Sequence, residues 1–359
     1  MFWNKKKINN NFWQDLKKEK GDEPILVLAP MADVTDFAFR KVIAKYGMPD
    51  VMWTEFVSAD GLALAPKSGR SKLIKGLMFD KKQRPMVAQI FSSNPVYMKQ
   101  AAQLVEEMNF DALDINMGCP ANKVEKQLSG SAMIKHPEMA IDVINATMDG
   151  VSELPVSVKT RLGYNEDQLE DWLRTLLTGN IHGDSSDVIS GNYKVPKLVT
   201  LHARTRRDLS KVPARWERIC RAVEIRDEIQ KNIPKHERTL IFGNGDVSSI
   251  LEAKARAIET GCDGIMIGRG IYGKPWLFNK KYSNGGMPPL KKRLMILVEH
   301  TEVFEKYCDY KNFAVMRKHF KAYVEGFDGA KELRVELMEA QNAKEVKKII
   351  KGWLKGNKV

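Results

Sequence analysis

Cysteine is scarce and scattered in this 359-residue sequence. Cys119, Cys220, Cys262 and Cys308 are the only four, and none sits in a Cys-x-x-Cys pair. That spacing argues against a structural zinc ribbon or a disulfide framework and suits a reducing cytosol. Long apolar runs are missing too: no stretch approaches the roughly 18 apolar residues of a membrane span. The segment MFWNKKKINNNFWQDLKKEKGD is basic but has no apolar stretch behind it, so it does not read as a secretory signal. Positive charge, by contrast, is plentiful. Lys and Arg number 58 against 45 Asp and Glu, giving +13 and a pI near 9.4. Such an excess points to a polyanionic partner and says nothing about fold. With 43% apolar and 29% charged residues, the chain is an ordinary soluble one, long enough for a large domain plus a smaller one.

Between residue 25 and about 268, short apolar runs alternate with amphipathic stretches. Eight runs stand out: Ile25–Ala29, Val51–Thr54, Met86–Ile90, Ala112–Ile115, Val156–Lys159, Leu198–Leu201, Thr239–Phe242 and Gly264–Ile267. Each is rich in Val, Ile or Leu without strict alternation, as parallel strands buried on both faces require. Helical periodicity fills the gaps. In Val96–Met108, for example, Val96, Met98, Ala101, Ala102 and Val105 fall on one face. Eight strand–helix units in about 250 residues predict a (β/α)8 TIM barrel over residues 23–282. A doubly wound sheet would show fewer strands and an early phosphate-binding glycine fingerprint.

The Gly-, Asn-, Asp- and Ser-rich stretch 178–197 breaks this rhythm and reads as a mobile surface insertion at the N-terminal end of the barrel. SNGGMPPL, after Tyr282, is a linker by composition. Beyond it, residues 290–359 carry helical patterns, with Leu294, Leu297 and Val298 sharing one face and Phe313, Met316, Phe320 and Tyr323 another. This C-terminal all-helical domain holds 16 basic against 10 acidic residues. The N-terminal extension, residues 1–22, is basic as well; its first twenty residues hold six against two. A solvated, slightly basic cap would explain both stretches equally well.

In a barrel of this kind, functional residues lie at the C-terminal ends of the strands. After the eight runs in turn come Pro30-Met31-Ala32-Asp33, Gln89 (third run), Asn116-Met117-Gly118-Cys119-Pro120, Lys159 with Arg161, His202 with Arg204 and Arg206, Gly243-Asn244-Gly245-Asp246, and Gly268-Arg269-Gly270. The last two glycine clusters suit a phosphate site: backbone N–H groups can approach the oxygens, and an Arg adds a bidentate contact. A Lys such as Lys159 beside a flavin pyrimidine ring would stabilise the anionic reduced form, with Gln89 and His202 fixing its orientation. Taken singly, a Gln or His there is a satisfied core polar group. Cys119 alone among the cysteines lies at this end; proton donor and nucleophile both fit it. The other three read as packing residues.

Together LAPMADVTDFAFR (28–40), DINMGCPANKVEKQLSGSA (114–132), VSVKTRLG (156–163), LHARTR (201–206), FGNGDV (242–247) and IGRGIYGKPWLF (267–278) resemble the tRNA-dihydrouridine synthases, most closely the bacterial B-type branch. MRKHFKAYVEG (316–326) resembles that family's helical domain. The resemblance implies a cytoplasmic flavoprotein that reduces the C5–C6 double bond of D-loop uridines in tRNA, with FMN reduced by NADPH. Position 17 is the guess within the D-loop. By the same resemblance, Cys119 protonates C5 as a general acid. FMN is contacted by Pro30, Met31, Ala32, Gln89, Lys159 and His202, with Asn244, Gly245, Asp246, Gly268 and Arg269 about its phosphate. Asn116 holds the target uracil, and Arg161, Arg204, Arg206, Arg317 and Lys318 face the RNA. The uridine must be extruded into the barrel mouth while the basic helical domain grips phosphates. No metal or membrane is implied, and a monomer is expected.

Two small departures stand beside matched residues: Asp33 replaces the usual Gly of A-G-V-T, and Ala203 the usual Gly of H-G-R-T. An FMN barrel acting on a small pyrimidine would share the phosphate site and Lys159 but would not need the basic helices. An inactive tRNA-binding homologue would not need every catalytic position filled.

Overall fold

The computed structural model describes residues 10–181, 188–282 and 285–357. Eight parallel strands close in chain order into a barrel: β1 (Ile25–Leu28), β2 (Val51–Ser58), β3 (Met86–Phe91), β4 (Ala112–Asn116), β5 (Val156–Arg161), β6 (Leu198–His202), β7 (Leu240–Asn244) and β8 (Gly264–Ile267). β8 returns to β1 with Ile25 opposite Gly264. The apolar runs mark every strand. Where β4, β5 and β6 continue past their runs, at Asn116, Arg161 and His202, the added residues are polar and held by the ladder of their neighbours, while Glu55 lies at a register irregularity between β2 and β3. The amphipathic stretch 96–108 forms the helix Pro95–Glu107, capped by Asn94. Met98, Ala101, Ala102 and Val105 are buried as the spacing predicts, but Val96, in the first turn, is 60% exposed.

Inward positions recur at every second residue along the strands. At the N-terminal end of the barrel they are apolar, with Ile25, Val27, Val51, Val87, Ala112, Leu198 and Leu240 in one cluster. The helix Phe12–Lys20 closes that end. Its Trp13 is fully buried, stacked on Trp53 (5.6 Å) and set edge-on to Phe242 (5.8 Å). The described part of the N-terminal extension is thus a barrel plug as well as a basic segment; truncating Trp13 would cost about 3–5 kcal/mol. Further along, the inward positions turn polar, with Gln89, Asp114, Ser157 and Thr200 all buried.

In the insertion, residues 182–187 lie outside the described residues. Its flanks are not loose. Tyr193 is buried and its hydroxyl donates to Leu176 O at 2.8 Å, while Lys194 pairs with Asp149. A Cβ on Gly179 (φ 73°) would sit 2.4 Å from the Tyr193 ring, so glycine is needed there for both backbone and space. Tyr193 is thus an aromatic anchor hidden among the polar residues, while 188–192 are exposed. The stretch joins the helix Leu169–Thr178 to β6, on the N-terminal side of the barrel as expected.

The C-terminal region is helical (Leu290–Tyr307, Met316–Tyr323, Ala330–Glu339, Ala343–Gly356). It packs on the barrel rather than hanging from its linker. His300 stacks on Phe39 (5.0 Å), and Glu299 accepts from Lys45 Nζ (2.7 Å) and Tyr46 Oη (2.6 Å). At the barrel mouth Lys311 Nζ donates to both Glu55 oxygens (2.7 and 2.8 Å) and to Asp33 Oδ1 (3.1 Å). Asp33 holds φ 54°, so the Asp that stands in place of glycine ties the β1 loop to the helical region. Among the described residues, no helix is long and apolar enough to cross a membrane.

Candidate active site

A cleft of about 370 Å³ opens at the C-terminal end of the barrel. Pro30 and Met31 form one wall, Lys159, Arg161 and His202 the floor, and Asn244, Gly245, Asp246, Gly268 and Arg269 the far wall. Ladder register explains the floor: Asn116 lies opposite Lys159, Arg161 opposite His202, and His202 opposite Asn244. Ala32 is exposed beyond the cleft, and Gln89 is fully buried beneath it. Ala29, Pro120, Leu209, Ser210, Val247 and Gly270 complete the lining. Pro120, Val247 and Gly270 lie inside the motifs quoted above, whereas Leu209 and Ser210 lie outside them.

The cleft is built for negative charge. Lys159 Nζ donates to Asn244 Oδ1 at 3.3 Å, and the Asn244 amide is oriented by donating to Met266 O at 2.7 Å. Burial, and then Arg161, pull the Lys159 ammonium down to about 8. It therefore remains mostly charged at neutral pH. Arg269 keeps its guanidinium at the rim through Asp246 (3.0 Å), with 58% of its side chain exposed. Asp246 also accepts from Arg204 and from Ala214 N, so its carboxylate aims cations instead of facing a ligand itself. A Cβ on Gly268 would meet only Met31 Sδ at 3.6 Å and Ala29 Cβ at 3.7 Å. The protein's own packing leaves that space open, as a cradle requires.

His202 is neutral. Burial, reinforced by Arg161, Lys159, Arg204 and Arg269, holds its imidazole well below the ordinary value. Arg204 Nη1 lies 3.3 Å from its Nε2; arginine can only donate, so Nε2 accepts and the proton sits on Nδ1.

Cys119 lies half-buried on the loop after β4. Its carbonyl accepts from Ser131 N (3.0 Å) and Ser131 Oγ (2.9 Å), and the Gly118 carbonyl accepts from Arg161 Nε (2.8 Å). Asn116 Oδ1 takes the loop N–H groups of Gly118 (3.1 Å) and Cys119 (2.9 Å). Burial pushes the thiol above its ordinary range. At neutral pH it is a protonated thiol, which favours the acid over the nucleophile. Cys262 and Cys308 are buried and Cys220 lies on the helix Trp216–Ile229, in keeping with packing roles.

The arginines expected to face the RNA are also engaged within the protein. Arg161 is spent on Gly118 O and Thr205 O (3.0 Å), and Arg204 is 2% exposed, donating to Val212 O at 2.6 Å. Arg206 pairs with Glu125, six residues past the cysteine; Glu125 also accepts from Ser131 Oγ. These three side chains shape the loops around the mouth. Arg317 and Lys318 are exposed on the helix Met316–Tyr323. Lys318 joins Lys321 and Lys274 along a groove of about 660 Å³ that meets the cleft at Asp246, Val247, Arg269 and Gly270. Lys274 and Lys321 were not singled out from the sequence, although they lie within IGRGIYGKPWLF (267–278) and MRKHFKAYVEG (316–326). Among the described residues, no group of three or more His, Cys, Asp or Glu is placed to hold a metal ion.

Residues 27–179 and 194–355 match the family model described as dihydrouridine synthase, and the break between them falls in the insertion. The chain is 36% identical over 346 residues to a probable tRNA-dihydrouridine synthase of Staphylococcus aureus (strain MRSA252), covering 96% of this chain and 95% of that protein. It is 34% identical, over 96% of each chain, to probable tRNA-dihydrouridine synthase 2 of Bacillus subtilis (strain 168). Among solved structures, a 2-naphthoyl-CoA reductase complex is similar in fold, with TM-score 0.50 and 10% identity over 72% of this chain and 50% of that one. The chain belongs to the dihydrouridine synthase family of oxidoreductases.

Proposed function

We propose that this protein is a tRNA-dihydrouridine synthase of the cytoplasm that reduces the C5–C6 double bond of D-loop uridines, with FMN as its resident flavin and NADPH as reductant. The observation that carries the reading is one of place. A cationic, glycine-walled cleft and a protonated thiol share one barrel mouth, and a lysine-lined groove runs into it.

The donor set fits FMN. Arg269, Gly245 and Gly268 suit the phosphate, Lys159 the polar edge of the ring, and Pro30 and Met31 an apolar wall beneath it. When bound, FMN supplies a hydride centre that NADPH recharges and that discharges to C6 of the uracil. Cys119 Sγ gives its proton to C5, and burial keeps that proton in place until the base arrives. Neutral His202 can orient a ligand without adding charge, while Lys159 offsets negative charge developing across the cleft. Asn116 Oδ1 is engaged with the cysteine loop and one amide N–H with Gln89, so the second amide N–H is the donor left for a uracil carbonyl. Such a cleft reaches only an extruded base, and Lys274, Lys318 and Lys321 are placed to hold the phosphates beside it.

The test is to purify the protein and reduce its flavin with NADPH in the absence of oxygen. Unmodified tRNA should then restore the oxidised flavin spectrum. Flavin that is reduced but not discharged by tRNA would point to a small-molecule substrate, and protein that fails to take up FMN would end the flavoenzyme reading.

A further inference from the structure

Hydrogen bonds run with a single polarity from the barrel core to the Cys119 loop. Ser157 Oγ donates to Asp114 Oδ1 at 2.6 Å, and Gln89 Nε2 donates to Asp114 Oδ2 at 2.6 Å. Asn116 Nδ2 then donates to Gln89 Oε1 at 3.0 Å, and the loop N–H groups of Gly118 and Cys119 donate to Asn116 Oδ1. Gln89 and Asp114 are opposite each other in the β3–β4 ladder, and both are fully buried.

Donor and acceptor chemistry dictates this order. An ionised carboxylate can only accept, so Gln89 must turn its NH2 toward Asp114 and its oxygen toward Asn116. Asn116 must then spend its NH2 on Gln89, which leaves its oxygen for the loop. The loop carbonyls have other holders, Ser131 for Cys119 and Arg161 for Gly118. The two N–H groups depend on Asn116.

We propose that Asp114 is a positioning residue: it sets the direction of a Gln89–Asn116 amide relay that holds the loop carrying the Cys119 thiol at the barrel mouth. Burial raises the Asp114 carboxyl to about 6, opposed by Gln89, Ser157 and Lys159. At neutral pH it is therefore ionised, the state that fixes the relay. The inference rests on the proposed function only in taking Cys119 as the proton donor; the geometry stands without it.

Asp114→Asn keeps the shape and reverses the logic. With Ser157 Oγ donating to its oxygen rather than to Leu113 O (3.3 Å), the substituted amide turns its NH2 to Gln89, whose own amide must then turn over. Asn116 must follow, and its NH2 confronts the two loop N–H groups. Adding Asn116→Asp repairs the chain, because that carboxylate accepts both from the turned Gln89 and from the loop.

The test is the rate of Cys119 alkylation by iodoacetamide in full-length protein without RNA, followed on the Cys119 peptide by mass spectrometry. Its pH profile separates thiol acidity from access. Asp114→Asn is expected to speed alkylation roughly tenfold, the scale of one lost hydrogen bond. The double variant should return to within about twofold of the parent, as coupled sites do. Ser157→Ala leaves the polarity intact and should also stay within about twofold. A single variant that reacts like the parent, or a double variant no closer to it than the single, overturns the proposal. If Asp114→Asn alone does not fold, the double variant should regain a cooperative melt, and its failure to do so overturns the proposal equally. Absence of dihydrouridine formation by the parent would count against the proposed function while leaving this alkylation series intact.

Discussion

Replacing Lys311 with Met removes a cation that two barrel carboxylates share with the helical region. The Lys311 and Glu55 side chains are 13% and 10% exposed, and Nζ touches both Glu55 oxygens. Breaking a buried pair from one side leaves an uncompensated charge, at a cost of about 3–5 kcal/mol. With unfolding entropy of ~2.1 cal/mol/K per residue, that lowers the melting midpoint by about 4–7 °C for a chain of this length. Glu55→Gln added to Lys311→Met removes the buried carboxylate left without its cation, leaving only the more exposed Asp33 of the pair, and should recover most of the loss. The effect should also depend on pH. Asp36, buried nearby, has its carboxyl raised to about 6 by burial and then by Glu55, with Lys311 holding it down. Removing Lys311 raises it further. A raised carboxyl keeps its proton at pH 5 and must carry an uncompensated charge at pH 7.5, so the deficit is larger at pH 7.5. Differential scanning calorimetry of parent, single and double variants at both pH values decides the matter. A single-variant shift under about 1 °C at pH 7.5, or a double variant as unstable as the single, refutes the clamp.

Cys119→Ala is expected to spare flavin reduction by NADPH and to slow uridine reduction roughly 100-fold, measured as separate half-reactions by anaerobic stopped flow; equal slowing of both would remove the cysteine from the acid role. Because the Lys159 ammonium is held down near 8, its charge is lost as pH rises through that value. FMN affinity, read by fluorescence titration, should therefore fall above pH 8, and Lys159→Met should flatten that limb; a parent profile already flat would contradict the assignment. Reversing the charge of exposed Lys318 and Lys321 to Glu should weaken tRNA binding and reduce the slope of log affinity against log salt by about 1–2. An unchanged slope would return that helix to neutral surface. Point changes are preferable to deleting residues 290–359, since Leu294, Leu297 and Phe304 are buried and His300 stacks on the barrel helix Phe37–Tyr46.

The barrel was legible because its strands are buried on both faces, which writes each one as an apolar run. The last residues of β4, β5 and β6 were not, since Asn116, Arg161 and His202 adopt strand geometry through pairing with distant partners. The cleft was legible for a related reason: strand ends converge, so motifs far apart in sequence meet at one mouth. What each residue does there was less readable. Arg161, Arg204 and Arg206 look like RNA contacts in a linear motif, yet folding spends them on carbonyls and carboxylates of neighbouring loops. Asp114 looked like one more residue of an apolar run, and only the register that sets Gln89 beside it reveals its place. Trp13 likewise gave no sign of plugging the barrel, because its partners Trp53 and Phe242 are remote in sequence.

The most direct measurement is the dihydrouridine content of unmodified bacterial tRNA after incubation with the FMN-loaded protein and NADPH, mapped by position. Dihydrouridine confined to D-loop positions, and lost on Cys119→Ala, is the predicted result. Tight tRNA binding and a reducible flavin without any dihydrouridine would contradict the account.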